Sequence, residues 1–178
     1  VCMIPIMKES KGLSPNQIIT LHDFPLHSEQ VLKLYFRIYQ KGCGKIVPPI
    51  PVLSKELVEV SFSGETKDAY KEFMSRNPQV EYFLLDGSHK STAAALAGAQ
   101  VNVIVFREDK DIEEARKLVT LGEVMSLTVG DTIQENVKEL KGYFDKKPVF
   151  QTVEDKTLQM LEERVIPKYM IEFYQRGR

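Results

Sequence analysis

Five polar side chains stand in a row at Ser88-His89-Lys90-Ser91-Thr92, directly after Asp86-Gly87. Hydroxyls, an imidazole and an ammonium group are the donors that bind phosphate oxygens. A glycine ahead of them lets the backbone approach an anion with no Cβ in the way. Gly87, Ser88, His89, Lys90, Ser91 and Thr92 are therefore candidate phosphate ligands, and His89 is a candidate catalytic donor. Asp86 is the carboxylate of the group. It is a candidate catalytic residue and the candidate metal ligand, able to hold Mg2+ or to orient His89. Plainer roles stand beside these: an Asx turn for Asp86, a tight turn for Gly87, and helix-turn satisfaction for Ser91 and Thr92. Lys90 is informative because a cation at a helix start is electrostatically unfavourable, and a nearby anion relieves a cost of about 0.3–1 kcal/mol.

The elements that must position these groups are read from both sides of the motif. Val80–Leu85 is a short apolar run and predicts a strand; His89–Ala97 is Ala-rich and predicts a helix closed by Gly98. Strand, glycine turn and helix place free N–H groups and the positive end of a helix dipole at the turn. Val101–Phe106 predicts the next strand after a short connection, so the unit is α/β.

Upstream, Gln17–Leu21 predicts a strand, residues 22–27 a loop, Ser28 an N-cap, and Glu29–Lys41 a helix closed by Gly42. Val31, Leu34, Tyr35 and Ile38 mark its core face, widened by Leu32, Phe36 and Tyr39. Lys33, Arg37 and Lys41 recur at four-residue spacing as a basic stripe, either a solvated face or a nucleic-acid contact. Pro48–Leu53 is extended, and its prolines predict an edge strand. Leu57–Phe62 alternates and predicts a strand; Lys67–Arg76 predicts a helix ended by Asn77-Pro78. The last third is helical, over 111–118, 131–144, and from a Thr152–Asp155 capping box through Leu158, Leu161, Val165 and Tyr169, with a kink at Pro167. Lys41-Gly42-Cys43-Gly44-Lys45 lacks P-loop spacing and reads as a helix cap and turn.

The chain has 178 residues, 43% hydrophobic and 28% charged, with a net charge of −1. That composition supports a core, and exerts no global pull towards nucleic acid. Cys2 and Cys43 make no disulfide framework and no Cys-x-x-Cys pair, so a reducing, cytoplasmic setting is expected and zinc has no support. No apolar run approaches the ~18 residues of a membrane span. The short apolar start, Val1–Met7, has no basic region before it, and a signal peptide is not expected.

Over residues 84–98 the chain resembles the ParB/sulfiredoxin superfamily, in which a strand leads to an Asp-Gly-x-His-Arg type box and an Ala-rich helix ending in glycine. That family includes ParB N-terminal domains, sulfiredoxins, ParB-like nucleases and free serine kinases. The order Ile18–Leu21, polar loop, Glu29–Lys41, Pro49-Ile50-Pro51-Val52 and box fits the same pattern over about residues 15–110. The resemblance implies an α/β (α+β) mixed sheet with packed helices. Residues 1–110 would form the nucleotide-binding core, with a helical C-terminal region, 111–178, packed on it. It implies ATP or ADP with Mg2+, and transfer of a phosphoryl group to a small hydroxyl compound such as free serine. Leu21-His22-Asp23 stands where the kinases have Leu-His-Glu, which makes Asp23 the candidate general base, with Glu29 as the second choice. A ParB-like nuclease or DNA-binding module using Lys33, Arg37 and Lys41 is the first alternative. A nucleotide-dependent interaction module without turnover, its C-terminal helices mediating dimers or partner binding, is the second.

The chain departs from the pattern at three places. Lys90 replaces an arginine fork with a point charge. Ser88 occupies the sulfiredoxin cysteine position, and a hydroxyl does not perform thiolate chemistry. The stretch from Leu53 to Val80 is longer than the pattern, and its helix is expected either to act as a lid or to cover the sheet. No helix-turn-helix of the ParB type is visible in the last third.

Overall fold

The computed structural model describes residues 10–21, 28–122 and 127–177. Its strands are β1 (Lys11–Leu13), β2 (Ile18–Thr20), β3 (Ile50–Ser54), β4 (Tyr82–Leu84), β5 (Val101–Phe106) and β6 (Gln151–Thr152). Its helices are α1 (Glu29–Gln40), α2 (Lys55–Glu59), α3 (Gly64–Arg76), α4 (Ser88–Leu96), α5 (Asp109–Thr120), α6 (Ile133–Lys146), α7 (Val153–Glu162) and α8 (Lys168–Arg176). The strands form one mixed sheet in the order β1-β5-β3-β4-β2-β6. β3 runs parallel to β5 and β2 parallel to β4, whereas β1–β5, β3–β4 and β2–β6 are antiparallel. The fold is thus mixed α/β, as expected.

Alternation along the strands divides the core into two layers, because successive side chains point to opposite faces of a sheet. Ile18, Val52, Leu84 and Val103 face one way, onto Leu32, Tyr35 and Phe36 of α1, the alanines of α4, Met160 of α7 and Met170 of α8. Ile19, Leu53, Phe83 and Ile104 face the other way, onto Val58 of α2, Tyr70 of α3, Ile112 of α5 and Phe144 of α6. The second layer is aromatic: Phe62, Tyr70, Phe83, Phe144 and Phe150 contact one another, Phe144 and Phe150 stacking at 4.3 Å between centroids. α3 therefore covers the sheet. The C-terminal third contributes a strand as well as helices, since β6 pairs with β2 at the sheet edge.

Four expectations need correction. β3 is an interior strand, between β5 and β4, and not an edge. Pro51 is tolerated there because its carbonyl accepts from Leu85 N–H at 3.0 Å, so its nitrogen faces the same side, beyond the last residue of β4 where the ladder has ended. Leu57–Phe62 is not a strand. Val58 and Phe62, four apart, are buried while Val60 is 80% exposed, a helical spacing that α2 and the turn after it follow. The long C-terminal helix is two helices. α7 ends at Glu162, Arg164 takes a positive φ of 55°, and α8 starts at Lys168 directly after Pro167. On α1 the buried residues are Leu32, Tyr35, Phe36 and Tyr39, and Leu34 is exposed.

The helical reading of α2 is testable by charge insertion. Val60→Glu is expected to leave the thermal midpoint within a degree or two of wild type. Val58→Glu, burying an unpaired carboxylate, should lower stability by about 3 kcal/mol or more in urea titration.

Candidate functional site

The box residues open α4. The Asp86 carboxylate accepts from Gly87 N–H through Oδ1 at 2.7 Å and from Thr128 N–H through Oδ2 at 2.9 Å. Gly87 turns the chain with φ 101° and ψ 36°, a left-handed geometry, and is the N-cap of α4. A Cβ at this position would lie 2.9 Å from Ile50 Cβ and closer still to its Cγ2, so β3 packs directly against the turn. The first bond of the helix runs from Ser91 N–H to the Gly87 carbonyl at 2.9 Å. The N–H groups of Ser88, His89 and Lys90 thus precede the first intrahelical donor and point out of the helix end.

The side chains of the box spread in three directions from that end. Lys90 turns towards α1: it is 8% exposed, and its ammonium lies 5.8 Å from the centre of the Tyr35 ring. Burial pushes its pKa below the ordinary 10.5, and the Asp86 carboxylate partly counters this. No described residue gives Lys90 a hydrogen bond or an ion pair. His89 accepts from Ser28 N–H through Nε2 at 3.1 Å, and so ties the box to the N-cap of α1. Ser88, Ser91 and Thr92 turn towards α7 and line, with Thr20 and Lys156, a small recess of about 10 Å³, the space of one water molecule. Ser91 Oγ already donates to the Ser88 carbonyl at 3.1 Å, the helix-satisfying role.

The structure therefore gathers Asp86, Gly87, His89 and Lys90 around the open start of α4. It places Ser91 and Thr92 on the neighbouring face, both buried. Asp23, the candidate base, lies outside the described residues, as do His22 and His27. Glu29 pairs with Lys33 on α1, which occupies the first cation of the basic stripe; Arg37 and Lys41 are exposed. Among the described residues no group of three His, Cys, Asp or Glu side chains is arranged to hold a metal ion. Also among them, no helix is long and apolar enough to cross a membrane.

Three site neighbours carry no signal in the sequence beside the motif. Thr128 reaches Asp86 from 42 positions away, and Thr20 and Lys156 meet the serines through sheet topology. Tyr35 was visible as a core-face residue of α1, but not as the ring under Lys90. No family model, no curated protein and no solved structure matches the chain.

Gly87→Ala must adopt a left-handed φ and displace Ile50. The expected loss is about 2–5 kcal/mol in urea unfolding, and Ile50→Ala in the same chain should leave the backbone part of that strain in place. His89→Ala should accelerate hydrogen exchange at the Ser28 amide by removing its acceptor, with α1 interior amides less affected.

Proposed function

We propose that the chain binds the phosphate groups of ATP or ADP, with Mg2+, at the start of α4, and transfers a phosphoryl group to a small hydroxyl compound such as free serine. The observation that carries the reading is Lys90. A lysine nine-tenths buried, on the positive end of a helix dipole, is a cation whose burial the nearby Asp86 carboxylate offsets only in part, so that its pKa stays lowered. A phosphate oxygen supplies the remaining counter-charge, while the outward N–H groups of Ser88, His89 and Lys90 supply donors. The family resemblance supports a nucleotide as the source of that phosphate. In the transfer, the acceptor hydroxyl oxygen bonds to the terminal phosphorus as the bond to the leaving nucleotide oxygen breaks. The hydroxyl proton passes to a carboxylate, for which Asp23 is proposed, and Asp86 is proposed to meet the Mg2+.

The test is nucleotide titration by calorimetry, beside an assay for phosphoserine from serine. Lys90→Met keeps the apolar stem and removes the charge, so the thermal midpoint should hold or rise while nucleotide affinity falls about tenfold to a hundredfold. Wild-type chain that binds neither nucleotide would end the proposal. DNA retained at low salt and lost steeply as salt rises would favour the nuclease reading instead.

The pH dependence has two opposite signs. The protonated amine is the anion-binding form, so phosphate affinity should fall as pH rises through the lowered pKa of Lys90, below 10.5. Between that pKa and the unfolded value the unfolded chain holds more protons, so the lysine's contribution to stability should rise with pH over the same window.

A further inference from the structure

Along α6, the residues Glu135, Lys138, Glu139, Gly142, Tyr143 and Lys146 line one open groove. All but the half-buried Tyr143 are exposed, while Asn136, Leu140 and Phe144 are the buried residues of the helix. We propose that this groove receives α6 of a second copy of the chain, antiparallel to it across a two-fold axis. The proposal does not depend on the phosphate reading.

Three observations name a second copy as the occupant. The first is register. With the axis level with the peptide between Leu140 and Lys141, every groove residue lies opposite another groove residue. Glu135 faces Lys146, Lys138 faces Tyr143, and Glu139 faces Gly142. A two-fold contact requires such a self-matching surface.

The second observation is charge. Residues three or four apart share a helix face, so Glu139 lands between Lys138 and Lys146 of the second copy, one turn to either side of its Gly142. In its own helix Glu139 has no cation at three or four residues' distance, and Glu135, four residues back, repels it. Lys138, Glu139 and Lys146 make no hydrogen bond or ion pair among the described residues. Elsewhere charges are paired at four-residue spacing, on α1, α3, α5 and α8 and, outside the groove, by Lys141 with Asp145 on α6 itself. Glu135 accepts from Asp131 N–H at 2.7 Å, and with Lys146 it suits the poles of its own helix. An antiparallel neighbour keeps that match, because it sets opposite poles side by side.

The third observation is Gly142. Glycine in a helix interior weakens the helix. A Cβ there would meet nothing within 4 Å, so nothing described in the chain requires its absence. A facing helix does, since bare backbone lets two axes approach to about 8 Å, the near end of the usual range. The 14 residues of α6 span about 21 Å. One helix pair of that length buries less than the roughly 1,200–2,000 Å² of a standard interface, so a weak dimer is expected, with Kd about 100 μM.

The experiment is sedimentation equilibrium of the full chain from about 10 μM to about 1 mM. The apparent mass should rise with concentration from 20.4 kDa towards twice that value. Glu139→Lys and Lys146→Glu change exposed side chains without partners, and each alone should weaken association about tenfold or more. An equimolar mixture of the two variants brings opposite charges together again, and should associate about tenfold more tightly than either variant alone. Gly142→Gln should hold or raise the thermal midpoint while weakening the dimer about tenfold, which separates the contact from helix stability. A wild-type chain of constant mass up to about 1 mM would overturn the proposal and leave the groove to a different partner. Association unchanged in the folded variants, or a mixture no tighter than its components, would overturn it as well.

Discussion

The position of Gly87 against Ile50 governs the layout of this chain. The turn must take a left-handed φ of 101° while β3 lies directly under it, and only glycine meets both conditions without strain. The turn sets the direction in which α4 leaves the sheet. α4 is then buried along almost its whole length, with Ala93, Ala94 and Ala95 at its centre. Methyl side chains let neighbouring helices approach closely, so α1, α7 and α8 all pack onto it, and Phe36 meets the rings of Tyr169 and Phe173 above it. A small helix held this firmly can present its two ends at fixed places.

At its start, magnitudes decide how to read Lys90. The face of the Tyr35 ring offers a cation about 0.5–2 kcal/mol. Removing an ammonium from water costs several kcal/mol. The ring alone cannot offset that cost, which is why burial dominates the lysine's pKa and the Asp86 carboxylate only partly reverses it. Asp86 is moreover engaged by two backbone N–H groups, at Gly87 and Thr128. Its placement holds the turn and the segment around Thr128, and leaves Lys90 without a hydrogen-bonded carboxylate.

What the sequence made legible was local. The strand, turn and helix around residues 82–97, the strand at 101–106, the Ser28 cap and the Thr152–Asp155 capping box are each written in consecutive residues, and each forms. What it concealed depended on pairing between distant segments. Pro51 marks an edge by its chemistry, yet β3 is interior, because β4 ends before the missing N–H matters. Val58, Val60 and Phe62 fit a period of two, Val58 and Phe62 alone also fit a helical spacing, and only burial of that pair against the aromatic layer selects the helix. β6 is two residues long and had no periodicity to read. The candidate site divides in the same way. Its residues were found as a run, but the spread of Lys90 towards α1 and of Ser91 and Thr92 towards α7 follows from packing that no local spacing encodes.

The two ends of α4 share one electrostatic irregularity. A helix carries about half a positive charge at its start and half a negative charge at its end, and soluble helices normally place opposite charges against these poles. Here the side-chain charge at each end has the sign of the pole itself: Lys90 stands at the start, and Glu154, supplied by α7, lines a cavity at the end. Glu154 is favourably placed with respect to its own helix, since it sits in the first turn of α7, so its position has one internal reason. Lys90 gains only from the Tyr35 ring of α1 and the nearby Asp86 carboxylate, and burial outweighs both. The start of α4 is therefore the end whose field is less compensated from within the chain. That asymmetry is the physical argument for the anion proposed at Lys90.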